Sequence, residues 1–254
     1  MVKPKKHLGQ HFLTDHNIAR KIVEQLTDHN TLVLEIGPGT GVLTRFLLPR
    51  FNDRLHLVEI DAESEAHLQT HYPALQDRIH LADFLKVDIA TLAPGKWSII
   101  GNFPYNISSQ IFFSIIQQRD QIVEVVGMVQ KEVAERIATG PGSKTYGILS
   151  VLLQAWFDIE YCFTVGPGVF HPPPKVNSAV IRLKRNAITH LGCDAAVFHQ
   201  VVKTGFNQRR KTLRNALKPL LSPTAGDHEL LAKRAEQLSV KDFVELAQLV
   251  EAGR

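Results

Sequence analysis

The chain has 254 residues, of which 44% are hydrophobic and 21% are charged, and its formal net charge at pH 7 is +4. This length and composition indicate a soluble globular protein with one large domain, or with a large domain and a small companion. The two cysteines, Cys162 and Cys193, lie far apart and form no Cys-x-x-Cys motif, so the sequence indicates neither a disulfide framework nor a zinc site.

The cysteine usage favours a reducing compartment, and we expect a cytoplasmic protein. The N-terminus is basic, but it continues into GQHFLTDHN rather than into the apolar core of a signal peptide. The longest apolar stretch, GILSVLLQAWF, is too short to span a bilayer. We therefore expect neither export nor a membrane span.

Apolar runs and helical patterns alternate along the first two-thirds of the chain. The first helix is predicted at residues 14–26, with Thr14 or Asp15 as its N-cap. Strands are then predicted at residues 31–37, 54–61, 78–83, 97–102, 123–129, 159–165 and 176–183, and helices between them at residues 41–50, 62–71, 107–118, 131–138 and 146–157. This alternation predicts an α/β fold whose mostly parallel sheet is covered on both faces.

The composition changes after Lys184. The remaining chain contains no convincing strand pattern, and helices are predicted at residues 195–206, 208–217, 228–238 and 240–251. We place a domain boundary near residue 186, which gives a first domain at residues 1–186 and a helical domain at residues 187–254.

Two basic segments contain no acidic residue. The first is residues 1–14, and the second lies between Ala195 and Gly226. Such segments suggest a polyanion as partner, although a basic helix is equally often a solvated face.

Within the second segment, helical spacing separates an apolar stripe from a basic face. The stripe consists of Val202, Phe206, Leu213 and Leu217, and the basic face of Asn207, Lys211, Arg214 and Lys218. Because this face has no acidic counterpart, we favour contacts with phosphate groups. The residues predicted to bind such a polyanion are Arg210, Lys211, Arg214 and Lys218.

The first predicted strand leads into a glycine-rich turn, EIGPGTG, that contains Gly37, Gly39 and Gly41. Glycines allow the backbone to turn tightly and to approach a ligand closely. The dinucleotide fingerprint needs a further glycine where this chain has Val42, so a nicotinamide-dependent oxidoreductase is disfavoured.

Acidic residues follow at the ends of the next two strands. Glu59 in VEID can accept hydrogen bonds from ribose hydroxyl groups, and Asp83 can accept one from an adenine amino group while Phe84 packs on the ring. Because the carboxyl ends of parallel strands meet at one edge of a sheet, these residues and the glycine turn predict a site for an adenosine derivative.

Further motifs give the sequence a resemblance to a known family. It resembles the ribosomal RNA adenine dimethyltransferases from about residue 5 to residue 250, and within them the bacterial enzymes that act on small-subunit RNA. The motifs are GQHFL, EIGPGTG, VEID, AD-F, GNFPYNIS, VQKEVAERI, SKTYGILSV, FHPPPKVNSAV and FNQRRKTLRNAL. The resemblance implies a Rossmann-like sheet of seven strands, one of them antiparallel, followed by a small all-helical domain.

The resemblance also implies S-adenosylmethionine as cofactor and a role for each motif. The GQHFL segment would close over the cofactor, with His11 and Leu13 at the contact positions; family members commonly have Asn in place of His11. Gly37 and Gly39 would lie beside the methionine portion. Glu59 would bind the ribose, and Asp83 with Phe84 the adenine.

In related adenine methyltransferases the target base lies at the motif that is GNFPY here. The side-chain oxygen of Asn102 and the main-chain carbonyl of Phe103 would accept the two protons of the adenine amino group, and Pro104 would stiffen the turn. Tyr105 would stack on a flipped-out adenine, with Phe170 packed beside it. This mechanism requires no metal ion and no covalent intermediate.

Taken alone, GNFPY is better explained as a βα turn with a local cap and two core aromatic residues. Its place beyond a strand of a sheet that already holds an adenosine-type site favours catalysis. The resemblance implies dimethylation of two adjacent adenines in the 3′-terminal hairpin of 16S ribosomal RNA, within an immature 30S subunit and by a monomer. Alternatives are methylation of 23S ribosomal RNA, as in resistance enzymes, and a non-catalytic RNA-binding assembly factor.

Overall fold

The computed structural model describes residues 2–222 and 227–253, and the chain divides into two compact units. The first, here the sheet unit, comprises Met1–Ala134 and Ile159–Arg185. The second, here the helical unit, comprises Glu135–Asp158 and Asn186–Arg254. The composition change near residue 186 gives no indication that residues 135–158 belong with the C-terminal segment.

Seven strands form one sheet in the order β4-β3-β2-β5-β6-β9-β7, and two short strands, β1 and β8, pair separately. Neighbours from β4 through β6 are parallel, whereas β9 is antiparallel to β6. The predicted α/β fold with a mostly parallel sheet of seven strands is confirmed. The strands are β1 (Phe12–Leu13), β2 (Leu32–Ile36), β3 (Leu55–Glu59), β4 (Ile79–Leu81), β5 (Trp97–Asn102), β6 (Ile122–Gln130), β7 (Phe157–Val165), β8 (Phe170–His171) and β9 (Ser178–Arg185).

Helices connect the parallel strands, as the alternating pattern predicts. Asp15 caps the first helix by accepting hydrogen bonds from the main-chain N–H groups of Asn17 and Ile18, at 2.8 and 3.0 Å. Nearly every residue of β2, β3 and β5 is buried, because helices cover a parallel sheet on both faces. The helices are α1 (His16–Val23), α2 (Thr44–Phe51), α3 (Ala62–His71), α4 (Ser108–Gln117) and α5 (Lys131–Ala138), of which α5 continues into the helical unit.

In the described part of the helical unit, two helices are long, and the other helices and turns are short. Ser239 and Asp242 form a reciprocal cap at the start of the last helix. The apolar stripe predicted at Val202, Phe206, Leu213 and Leu217 is buried. The helices are α6 (Ile148–Gln154), α7 (Ala195–Asn207), α8 (Leu213–Ala216) and α9 (Val240–Ala252), with 3-10 turns at Glu229–Ala232 and Ala235–Gln237.

Two helix predictions in this unit are wrong. Residues 208–212 are not helical, so α8 is only four residues long, and residues 228–238 form two 3-10 turns rather than an α-helix. The chain reverses after α7 and brings Leu213 back against Gly205, where an added Cβ would lie 2.9 Å from a Leu213 methyl carbon. The basic residues of this segment therefore do not share one helical face.

No helix within residues 2–222 and 227–253 is long and apolar enough to cross a membrane.

Candidate active site

The carboxyl ends of strands β2 to β5 open on a cavity of about 700 Å³ in the sheet unit. Residues 8–12 of the N-terminal segment line its other side. The structure brings most of the predicted site residues to this cavity: His11, Gly37, Gly39, Glu59, Asp83, Phe84, Asn102, Phe103, Pro104 and Tyr105.

The glycine turn after β2 brings main chain to the surface of the cavity. Gly37 and Gly39 have φ values of 63° and 57°, which favour glycine. A Cβ added at Gly37 would meet no atom within 4 Å, whereas one at Gly39 would lie 2.8 Å from the Phe12 ring. Gly37 therefore leaves open space beside the backbone, and Gly39 lets the N-terminal segment approach the turn.

The Glu59 carboxylate joins the end of β3 to this turn. It is buried, and it accepts hydrogen bonds from the main-chain N–H groups of Gly39 at 3.0 Å and of Ile60 and Asp61 at 2.9 Å. Burial raises the pKa of Glu59, and these hydrogen bonds oppose the rise. A carboxylate offers about four acceptor positions, so roughly one remains for a ligand hydroxyl group.

The far end of the cavity combines a carboxylate with apolar surface. Asp83 is partly exposed and accepts a hydrogen bond from the main-chain N–H of Leu85 at 3.0 Å, and Phe84 is buried behind it. Ile60 also lines the cavity and is 51% exposed, which is unusual for a large apolar side chain. Ile60 is not among the predicted site residues, although its position directly after the strand-ending Glu59 could have indicated it.

The GNFPY turn is anchored to the core by Phe103. Its main-chain N–H donates to the carbonyl of Met128 at 3.0 Å, and its ring is fully buried. Gly101 and Gly127 face each other across β5 and β6, and a Cβ on Gly127 would lie 2.7 Å from the Phe103 ring. Because Gly101 and Gly127 have no side chains, the Phe103 ring can pack between the two strands and anchor the turn.

Asn102 is held in one orientation by the N-terminal segment. Its Nδ2 donates to the main-chain carbonyl of His11 at 2.8 Å. Because a carbonyl oxygen only accepts, the amide of Asn102 must turn its nitrogen toward His11. The Oδ1 atom of Asn102 is thereby the side-chain acceptor that faces away from this bond.

Tyr105 is half-buried beside Asn102. Its hydroxyl group hydrogen-bonds to Ser178, and its ring stacks on the imidazole of His11 with centroids 5.4 Å apart and planes at 27°. Burial raises the pKa of Tyr105, so the hydroxyl group is neutral at physiological pH.

Leu13 and Phe170 do not line the main cavity. They are opposite each other in the antiparallel pair β1 and β8, and both are buried in the hydrophobic core. Leu13 borders a second cavity of about 300 Å³, which shares Gly37 and Asn102 with the first. In this arrangement Phe170 supports the N-terminal segment through Leu13. The packing of Phe170 against the target base stays a prediction.

An ion pair between Lys5 and Asp61 holds the N-terminal segment near the start of α3. Gln10 adds a weak hydrogen bond to the same carboxylate at 3.5 Å. Burial opposes ionisation of Asp61, but the Lys5 ammonium group holds the pKa of this carboxyl below its usual value. These three residues were not predicted, since no local pattern relates Lys5 to a residue 56 positions away.

A second unpredicted carboxyl group lies behind the glycine turn. Glu35 borders the smaller cavity and is 1% exposed, and the hydroxyl group of Thr44 donates to it at 2.7 Å. Burial raises the pKa of Glu35 to about 8, so it is mostly protonated at neutral pH.

The residues of the main cavity fit S-adenosylmethionine. The open space beside Gly37 accommodates an extended chain close to the backbone, and Glu59 and Asp83 supply acceptors for hydroxyl and amino groups. Ile60 and Phe84 supply the apolar surface that an adenine ring requires.

The predicted RNA-binding residues lie in the helical unit and are all exposed: Arg210, Lys211, Arg214 and Lys218. Arg214 forms an ion pair with Asp227 at 2.7 Å. The neighbouring Arg209 points inward instead, bonding to Glu236 at 2.7 Å and to the main-chain carbonyl of Tyr146 at 3.2 Å. Arg209 therefore fastens the loop at residues 143–146 and is less available to a partner.

Two solved structures share this fold over nearly the whole chain. A dimethyladenosine transferase from Plasmodium falciparum has a TM-score of 0.78 at 24% sequence identity, over 93% of this chain and 96% of that one. The 23S rRNA methyltransferase ErmE has a TM-score of 0.70 at 24% identity, over 94% and 99%. With the sheet order described above, these likenesses define the class, a Rossmann-like methyltransferase fold.

Comparison of sequences narrows this class to a family. The family model described as ribosomal RNA adenine dimethylase matches residues 1–251. The ribosomal RNA small subunit methyltransferase A of Parabacteroides distasonis is 59% identical over 97% of this chain and 93% of its own length. The protein of the same name from Cytophaga hutchinsonii is 57% identical over 98% of both chains. The chain belongs to the ribosomal RNA adenine dimethylase family.

Proposed function

We propose that this protein uses S-adenosylmethionine to dimethylate the N6 amino groups of two adjacent adenines in the 3′-terminal hairpin of 16S ribosomal RNA. Its substrate would be RNA within an immature 30S subunit, and it would act as a cytoplasmic monomer. The family and the fold support methyl transfer to adenine, and the small-subunit name of the relatives cited above favours the small subunit over 23S RNA.

The observation that carries the proposal is the fixed amide of Asn102. Its Nδ2 is bonded to the His11 carbonyl, which leaves Oδ1 as acceptor at a cavity that also presents Glu59 and Asp83. An RNA-binding scaffold without catalysis needs no such arrangement of an oriented acceptor beside an adenosine-type site.

S-adenosylmethionine, when bound, supplies a methyl group that its sulfonium already makes electrophilic. The difficulty that the protein must solve is the adenine amino group, whose lone pair is delocalised into the ring. Asn102 Oδ1 and the Phe103 carbonyl would accept its two protons and direct the lone pair toward the methyl group. Tyr105 would stack on the base and stabilise the positive charge that develops as the bond forms.

The helical unit would contact the RNA backbone. Arg210, Lys211 and Lys218 are exposed and can approach phosphate groups, whereas the charge of Arg214 is shared with Asp227. Such contacts fix the register of the RNA and contribute affinity that depends on salt.

Replacement of Asn102 tests the proposed chemistry. In Asn102→Ala we expect methyl transfer to small subunits to fall about 100-fold or more, because the acceptor that orients the amino group is lost. The dissociation constant for S-adenosylmethionine, measured by titration calorimetry, should change by less than about threefold, which is below 1 kcal/mol.

Asn106→Ala is the matched control, because Asn106 lies in the same turn, is exposed and does not line the cavity. It should retain methyl transfer close to the original rate. Undiminished turnover by Asn102→Ala would rule out the mechanism.

A further inference from the structure

Two histidines of α3 lie one helical turn apart on the same face of the helix. His67 and His71 occupy positions i and i+4, and their ring centroids are 3.9 Å apart with planes at 31°. His71 is exposed and His67 is partly exposed, so solvent reaches both rings. Neither residue lines the cavity at the carboxyl ends of β2 to β5.

The hydrogen bonds of these two rings leave one nitrogen of each available to a ligand. The Nδ1 atom of His71 lies 2.8 Å from the main-chain carbonyl of His67. Because a carbonyl oxygen only accepts, Nδ1 carries the proton and donates, and Nε2 keeps its lone pair. The ring of His67 forms a hydrogen bond with the main chain of Thr40, which can engage only one of its two nitrogens. Histidines that bind metal ions usually donate their second nitrogen to a neighbouring acceptor in this way.

The separation of the two rings suits ligands of a single small ion. Bonds from Zn²⁺ to histidine are about 2.0–2.1 Å long, so two nitrogens on a tetrahedral ion lie roughly 3.3 Å apart. Rings whose centroids are 3.9 Å apart can bring one nitrogen each to this separation by small side-chain rotations. The spacing of four residues also recurs in zinc sites, because on a helix it puts both histidines on one side.

The pair supplies two ligands rather than a complete set. Among residues 2–222 and 227–253, no three His, Cys, Asp or Glu side chains are grouped so that they could hold a metal ion. Water molecules would therefore fill the remaining positions of an ion bound here. Two imidazole ligands favour Zn²⁺, Ni²⁺ and Cu²⁺ over Mg²⁺ and Ca²⁺, which prefer oxygen ligands.

We propose that His67 and His71 form a binding site for a divalent transition-metal ion of the zinc class on the surface of α3. The site is separate from the proposed site of methyl transfer, and the ion takes no part in that chemistry. A bound ion links two successive turns of α3 just before Tyr72, whose hydroxyl group donates to the Gly41 carbonyl at 2.8 Å. Metal binding therefore stabilises the end of the helix that contacts the glycine turn.

Calorimetric titration of the full chain with zinc chloride tests the proposal, with protein that carries no histidine tag. We expect one site for Zn²⁺ that is tighter than any other, and no binding of Mg²⁺ to it. In His67→Ala and in His71→Ala the affinity should fall about tenfold or more, because a single imidazole remains and the advantage of two linked ligands is lost.

His199→Ala is the matched control, because it removes an exposed histidine from another helix, α7, where the residues one turn away are Ala195 and Lys203. Its affinity for Zn²⁺ should equal that of the unsubstituted protein. Thermal unfolding without zinc shows whether each variant is folded. Added zinc should then raise the unfolding temperature of the unsubstituted protein and of His199→Ala, but not of the other two variants.

NMR spectra of the imidazole nitrogens identify the ligands directly. Zn²⁺ should shift the ring nitrogens of His67 and His71 and leave those of His199 unchanged. The proposal is overturned if the protein binds no Zn²⁺ at about 1 mM, or if either His67→Ala or His71→Ala keeps its affinity within about threefold. Equal weakening by His199→Ala, or shifts confined to other histidines, would also overturn it.

Discussion

At the residue scale, the fold removes several ionisable side chains from water around the glycine turn. Glu35 is the extreme case, since burial raises its pKa from 4.5 to about 8. Between these two values the folded protein keeps a proton that the unfolded chain releases. The free energy of unfolding therefore decreases as the pH rises through this window. Below pH 4.5 both states hold the proton, so Glu35 adds no pH dependence there.

The buried side chain of His56 gives the free energy of unfolding the opposite dependence on pH, at lower pH values. It is buried beside His80 and Trp97, and burial lowers its pKa from 6.5 to about 4. The unfolded chain binds a proton there that the folded protein does not, so the free energy of unfolding decreases as the pH falls from 6.5 to 4. The interval from pH 6.5 to 8 is therefore the one in which the effect of Glu35 can be isolated.

We expect Glu35→Gln to flatten the dependence of stability on pH in that interval. Glutamine keeps the size and an acceptor for Thr44 but has no proton to lose, and the difference amounts to on the order of 2 kcal/mol between pH 6.5 and 8. Thermal unfolding of both proteins at several pH values measures it. Glu24→Gln, at an exposed position, serves as control. Parallel curves for Glu35→Gln and the unsubstituted protein would contradict the buried, protonated state of Glu35.

Sequence reasoning at this scale succeeds where chemistry and strand position coincide. Gly37, Glu59 and Asn102 could be placed at one cavity because each follows or ends a strand of a parallel sheet. Two other contacts could not be predicted from the sequence, because each joins segments whose approach depends on tertiary packing. They are the stacking of His11 on Tyr105 and the ion pair of Lys5 with Asp61. Phe170 shows the same limit, because only the pairing of β1 with β8 turns it toward Leu13.

At the scale of elements, apolar runs predict the strands well, whereas the basic segment after α7 is governed by packing. Its composition favours a continuous helix at residues 208–217. The structure instead reverses the chain so that Leu213 packs on Gly205, and Arg209 bonds to Glu236 across the unit. Interactions between distant residues therefore outweigh local helical preference here, although the same apolar residues are buried in either arrangement.

This geometry makes Lys211 a specific test of RNA contact. It is exposed in the non-helical turn between α7 and α8. If it binds a phosphate group, Lys211→Glu should weaken RNA binding and reduce the slope of log affinity against log salt by roughly one unit at most. Binding is measured with small-subunit RNA at several salt concentrations.

Lys241→Glu makes the same charge change at an exposed position on α9, in the same unit, and is the matched control. We expect its slope to equal that of the unsubstituted protein. If the salt slopes of Lys211→Glu and its control are equal, Lys211 does not contact a phosphate group and is only a solvated surface residue.

At the scale of the whole molecule, the sheet unit contains the entire proposed site of methyl transfer. The cavity, the fixed amide of Asn102 and the segment that covers them belong to residues 1–134 and 159–185. The helical unit carries the exposed basic residues. Chemistry and RNA affinity should therefore be separable by substitution, with Asn102→Ala affecting the rate and Lys211→Glu affecting binding.

The central claim is that this protein dimethylates adjacent adenines of small-subunit RNA, and one measurement tests it directly. The protein is incubated with methyl-labelled S-adenosylmethionine and either immature small subunits or large-subunit RNA, and labelled bases are then located by digestion and mass spectrometry. We expect dimethyladenine at two adjacent positions in the 3′-terminal hairpin of the small-subunit RNA and no label in large-subunit RNA. Label confined to large-subunit RNA, or no transfer to either RNA by protein that binds the cofactor, would contradict the account.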